Sequence, residues 1–269
     1  MENKNIVLIN KIRKNGKQEV LGFNDACYLE QCPDLANYTI IDITHTAKND
    51  SLAKVLSSQV LGPCVASDGK EFACFENLWQ YSKVYDGVQI VDKNASPIQY
   101  YFLVKNGKPT EEYFKRREQG AQLTHVRKPE KVPSKGAWQF YIQEDGEDKL
   151  ISPMQARKQV YIPEYAKLVS QTLLYKLLKS YADAGNKIAI VGDNLLNYYN
   201  VTAKDEKYKQ LKRSVKDLDQ REILGIDCIK DVIDCPYIPI SDGVVLKALL
   251  QGDIEVEEGS VIDMVGILA

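Results

Sequence analysis

Between Ser152 and Asp193 the chain passes from helical to extended patterning, and no other stretch of its 269 residues constrains the fold as tightly. Ser152-Pro153-x-Gln155 supplies a cap hydroxyl, a first-turn proline and a returning glutamine, the set that starts a helix. Pro163 restarts it, and Val169, Leu173 and Leu177 with Leu174, Leu178 and Tyr181 recur at helical offsets, predicting a wide apolar face that ends before Gly185. This is expected to be the longest helix and the centre of the core. Lys187-Ile-Ala-Ile-Val-Gly-Asp193 then reads as a buried strand whose end presents Asp193 and Asn194 at a loop mouth.

Upstream, residues 5 to 12 alternate as a strand, turn at Asn15-Gly16 and resume at Glu19 to Phe23, a hairpin signal. Further strands are expected over Tyr38 to Thr44, Pro97 to Lys105 and Trp138 to Ile142, with a turn at Ser67-Asp68-Gly69-Lys70. Thr110 to Glu118 reads as a short charged helix. Arg127, Lys128, Lys131 and Lys135 share a stretch with two prolines, which predicts an exposed basic loop. Residues 203 to 222 are so charged that they form either a solvated helix or a helical insertion. Ser241-Asp242-Gly243 precedes an apolar helix at Val244 to Leu250. The expectation is an α+β fold of one main domain at 56–269, with residues 1–55 as a β-rich elaboration packed on it.

With 35 basic and 37 acidic residues the formal net charge is −2, so no global pull toward nucleic acid or anionic lipid exists. No apolar run approaches the ~20 residues that span a bilayer, and Ile6-Val-Leu-Ile9 is too brief for a secretory core. A soluble cytoplasmic protein without a membrane partner is expected. The six cysteines include no Cys-x-x-Cys unit and there are two histidines, His45 and His125, so reduced thiols, no metal and no cofactor are expected.

The run Phe72 to Tyr85 carries the best candidate chemistry. Offsets of four and seven residues place Glu76, Gln80 and Lys83 on one helix line, with Phe75, Leu78, Tyr81 and Tyr85 on the opposite, core-facing stripe and Asp86-Gly87 as the stop. Read alone, such a polar row is more often a solvated helix face.

Phe75-Glu-Asn-Leu-Trp-Gln-Tyr-Ser-Lys83 resembles the signature helix of the NADAR superfamily: a glutamate, then glutamine four residues on and lysine seven on. That family usually has His directly after the glutamate, where this chain has Asn77. Weaker likenesses lie at Trp138, Asp193 and Gly243 to Gly252, so the resemblance covers residues 60 to 255. It implies an α+β N-glycosidase without metal, cleaving the bond between ribose C1′ and a nitrogen in a phosphorylated pyrimidine intermediate or in an ADP-ribosylated nucleobase.

On that resemblance Glu76 stabilises the oxocarbenium-like state or takes a proton from water, and Asp193 is the second carboxylate, serving the departing base. Trp138 offers a wall for a flat base, with Trp79 as the second choice. Gln80 orients a ribose hydroxyl, and Lys83 holds Glu76 ionised or touches phosphate. Asn77 stands at the substrate side, and Arg116, Arg117 and Arg127 are candidate phosphate contacts. The partner is a nucleotide-like small molecule or modified base. Two alternatives stay open: a non-catalytic ADP-ribose or nucleotide sensor or accessory protein in phage–host conflict, and an interaction protein docking through residues 203–222.

Overall fold

The computed structural model describes residues 5–14, 17–20, 37–44, 52–85, 88–90, 99–101, 103–123, 138–193 and 240–256. The expectations on Arg127 and the basic loop, His45, His125, Asn194, residues 203–222 and the end of the chain lie outside them. In chain order the strands are β1 (Ile6–Lys14), β2 (Lys17–Val20), β3 (Thr39–Asp42), β4 (Cys64–Val65), β5 (Glu71–Phe72), β6 (Lys83–Tyr85), β7 (Val88–Ile90), β8 (Gln99–Tyr101), β9 (Val104–Lys105), β10 (Lys108–Pro109), β11 (Trp138–Glu144), β12 (Glu147–Ile151) and β13 (Ile188–Asp193). The helices are α1 (Phe75–Tyr81), α2 (Glu111–Ala121), α3 (Pro153–Ala156), α4 (Ile162–Ser170), α5 (Leu173–Asp183) and α6 (Asp242–Gln251), with a 3-10 turn at Leu52–Leu56 and a π-helical turn at Arg157–Tyr161. The fold is mixed α and β.

Two compact units divide the chain. Unit 1 joins Met1–Ser57 to Tyr165–Ala269, and unit 2 is the continuous stretch Ser58–Glu164. The N-terminal part, Met1–Ser57, belongs to unit 1. Its strand β1 lies inside the sheet β2-β1-β13-β3, parallel to β13 with Ile6 opposite Ile188 and Leu8 opposite Ile190. A parallel strand needs a distant partner and a crossover, which local pattern does not reveal. In unit 1 α6 packs on β1 and β13, and Gly243 lets it approach: an added Cβ would sit 3.2 Å from Leu8 Cδ2. Leu8, Ile188 and Ile190 are at most 1% exposed.

Unit 2 is built on the antiparallel sheet β12-β11-β6. Asp145 and Gly146, both at positive φ, make the two-residue turn from β11 to β12, and Asn106-Gly107 turns β9 into β10 in the same way. Val84, Leu103, Tyr113 and Tyr141 form one buried cluster there. Thr110 caps α2 by accepting from the amide of Tyr113, and the Ser152/Gln155 capping box forms in full.

Two expectations are corrected. The helix thought to run from Pro163 to Gly185 breaks at Thr172, whose hydroxyl donates to Val169 O at 2.8 Å and accepts from the amide of Tyr175 at 3.2 Å. That hydroxyl ends one helix and caps the next. Part of its expected core stripe lies outside: Leu173, Leu177 and Tyr181 are exposed, whereas Val169 and Leu178 of that stripe are buried, with Ala182 beside them. The Glu76 helix ends at Tyr81, not at Asp86-Gly87, because Lys83-Val84-Tyr85 leaves it to pair with β11.

Candidate functional site

Helix α1 is seven residues long, too short to persist alone, and its surroundings hold it. The amide of Phe75 donates to Leu61 O at 2.8 Å and that of Glu76 to Ser58 O at 2.9 Å, so backbone carbonyls cap its first turn. Phe75, Leu78 and Tyr81 are buried along one side. Tyr81 lies against Gly120 of α2, with the Arg116 guanidinium over its ring at 4.8 Å. At the far end the amide of Tyr141 donates to Ser82 O at 2.8 Å, which ties the helix exit to β11.

On the opposite side the structure assembles a continuous polar row. Ser58 Oγ donates to Glu76 Oε2 at 3.3 Å, Gln80 Nε2 donates to Glu76 Oε1 at 2.7 Å, and Lys83 Nζ donates to Gln80 Oε1 at 3.0 Å. The amide of Gln80 thus lies between an anion and a cation, its NH2 toward the carboxylate and its oxygen toward the ammonium. This orientation satisfies both ends and is strengthened by the charges. Lys83 acts on Glu76 through Gln80, from a strand position rather than from the helix line expected for it.

Aromatic rings close the lysine end. Lys83 Nζ stands 5.0 Å from the Trp79 ring and 5.1 Å from that of Trp138, and the two indoles meet edge to face with centroids 5.8 Å apart. Cation–π contacts of this kind contribute about 0.5–2 kcal/mol each. Trp79 is buried and backed by Phe140 at 4.9 Å and Tyr161 at 4.8 Å, so it supports the corner from within. Trp138 and Lys83 are half-buried, as are Glu76 and Gln80, and these are the groups that water and solutes can reach.

The remaining candidates are placed otherwise. Asn77 is fully buried and donates Nδ2 to Ala121 O at 3.3 Å and Leu123 O at 2.7 Å, fastening the end of α2 to α1 rather than facing solvent. Arg117 is buried too. Its fork is engaged by Asp68, at 2.5 Å and 2.9 Å, and its plane lies over Phe72 and Tyr141, so it is a structural anchor and not a phosphate contact. Burial pushes the Asp68 carboxyl up, but the hydrogen bonds and charge of Arg117 outweigh this and hold it below its ordinary range. Asp193 closes β13 in unit 1, whereas Glu76, Gln80, Lys83, Trp79 and Trp138 belong to unit 2.

Ser58, Phe140, Tyr161 and Asp68 were not anticipated. Phe140 was within reach, since it follows Trp138 by two residues and shares its face of β11. Tyr161 comes to the corner through a π-helical turn, and Ser58 through a contact across 18 positions, for which no local signal exists.

Among the described residues no group of three His, Cys, Asp or Glu side chains gathers as a metal site, and no helix is long and apolar enough to cross a membrane. Chemically, the row offers a fixed carboxylate with lone pairs to spare and, beside it, an ammonium backed by indoles. A carboxylate so placed can stabilise positive charge or accept a proton, and the ammonium can take an anionic or electron-rich group. No family model matches the chain, and neither does any curated protein or solved structure.

Proposed function

We propose that the chain is an N-glycosidase that hydrolyses the bond between a ribose C1′ and the nitrogen of a nucleoside-like substrate. The reading rests on the resemblance of Phe75 to Lys83 to the NADAR signature. The observation that supports it most is the hydrogen-bonded row Glu76–Gln80–Lys83 running to a half-buried Trp138. In this reading Glu76 faces C1′ and stabilises the cation left as the C–N bond breaks, then takes a proton from the water that adds to C1′. The base departs with the bonding pair and gains a proton from solvent. Trp138 stacks on the base, a contact of about 1–3 kcal/mol.

The test is to incubate the protein with ADP-ribosylated guanosine and with ribosylaminopyrimidine phosphates and to follow base release by chromatography. Wild-type protein is expected to release the base from one of them. Glu76→Gln is expected to lose at least ~100-fold in kcat while calorimetry still detects binding. Tight binding without turnover by the wild type, unaffected by Glu76→Gln, would instead favour a nucleotide sensor. Neither binding nor cleavage would overturn both readings.

A further inference from the structure

Helix α5 was expected to face the core, and the structure turns one of its stripes outward. Leu173, Leu177 and Tyr181, spaced by four, are 73%, 59% and 41% exposed, and the 3-10 turn that packs against α5 adds Leu52 at 80% and Val55 at 39%. Scattered exposed leucines are ordinary, but an aligned stripe continued by a neighbouring element is a patch. These five residues leave on the order of 600 Å² in water, at the top of the ~300–600 Å² of an ordinary monomer's largest patch and below the ~800 Å² that each partner of a standard interface covers, an area suited to a small interface.

From this area and its symmetry we infer that unit 1 carries a self-association surface, on which a second copy of this chain docks through α5 about a two-fold axis at Leu177. The stripe suits its own image. Leu177 is central, with Leu173 and Tyr181 at equal spacing on either side, so in an antiparallel pair Leu177 meets its counterpart and Leu173 meets Tyr181. Ridges of residues four apart pack well on each other when two helices cross at about 50°. The charged flanks are suited to a wet rim: Lys176 is exposed, and Lys179 pairs with Asp183 at 2.5 Å within the same helix. Area alone does not fix affinity, and the dimer proposed here is a weak, concentration-dependent one with a dissociation constant on the order of micromolar.

The experiment is sedimentation equilibrium of the full chain from ~1 to ~200 µM. Wild type is expected to pass from monomer to dimer in that range. Leu177→Glu, which sets two like charges against each other at the axis, should weaken association at least ~100-fold with an unchanged circular dichroism spectrum. Leu177→Cys should form an intermolecular disulfide on mild oxidation by oxidised glutathione, whereas Cys placed at exposed Lys176 should form it much more slowly. A wild type that stays monomeric at ~200 µM overturns the proposal, and so does a dimer that Leu177→Glu leaves intact.

Discussion

Removing one partner of the Arg117–Asp68 pair is the sharpest test of how unit 2 holds its polar row. The two side chains are 5% and 14% exposed, the fork is bidentate, and Asp68 also accepts from the amide of Lys70 at 3.2 Å, which fixes the turn leading through β5 into α1. Arg117→Leu leaves that carboxylate largely desolvated with backbone donors alone, a change that costs about 3–5 kcal/mol, whereas replacing both partners by leucine leaves no uncompensated charge and should restore at least ~1 kcal/mol. Both tryptophans of the chain, Trp79 and Trp138, lie in unit 2, so urea unfolding followed by their fluorescence reports on that unit. The pH dependence has a definite sign. Because the folded Asp68 carboxyl lies below its unfolded value of ~3.9, its contribution is present above that pH and is lost as pH falls through the folded value. Wild type should therefore lose stability below about pH 4 more steeply than Asp68→Asn. If Arg117→Leu unfolds within ~1 kcal/mol of wild type, or the double variant is as unstable as the two single losses added, the pair is not the anchor described.

Gly120→Ala would place a Cβ 2.2 Å from the Tyr81 ring and so force α1 and α2 apart. A loss of about 1–3 kcal/mol or more is expected, and a midpoint equal to wild type in the same urea assay would refute it. Cys64 is buried and its thiol is pushed up to about 12, chiefly by that burial. A raised pKa means the buried neutral thiol stabilises the fold below the unfolded value of ~8.5 and this is lost as pH climbs toward 12. Iodoacetamide at pH 8 should accordingly label Cys64 at least ~100-fold faster in urea than in the native protein, and equal labelling by peptide mass spectrometry would contradict the burial. On the proposed N-glycosidase reading, Gln80→Leu, which severs Lys83 from Glu76, is expected to lower kcat/KM at least ~10-fold with little change in unfolding midpoint. Unchanged kinetics would show that the bridge has no part in catalysis.

What could be read in advance was local. The Ser152/Gln155 box, the short charged helix after Thr110, the alternation around Trp138 and Phe140 and the apolar run at Ile188 to Val191 each depend on neighbours a few positions away, and each forms. The polar row was legible in composition but not in construction. Lys83 was placed on a helix because seven residues make two turns, while the strand pairing of Lys83 with Phe140 wins it for β6. Of the apolar face of 169–181, Val169 and Leu178 are buried but Leu173, Leu177 and Tyr181 are exposed, because periodicity shows that a stripe exists and not what covers it. Arg117 passed for a surface cation since its partner Asp68 is 49 positions distant.

The interleaved order of the two units also sets a schedule for synthesis. Unit 2 is uninterrupted, so every strand and helix it needs has emerged once residue 164 leaves the ribosome. Strand β1 must wait: Ile6 meets Ile188, and the intervening ~180 residues take on the order of 10–40 s to translate. During that interval Ile6, Val7 and Leu8 are without the strand that later shields them, a window in which nascent-chain chaperones would find them.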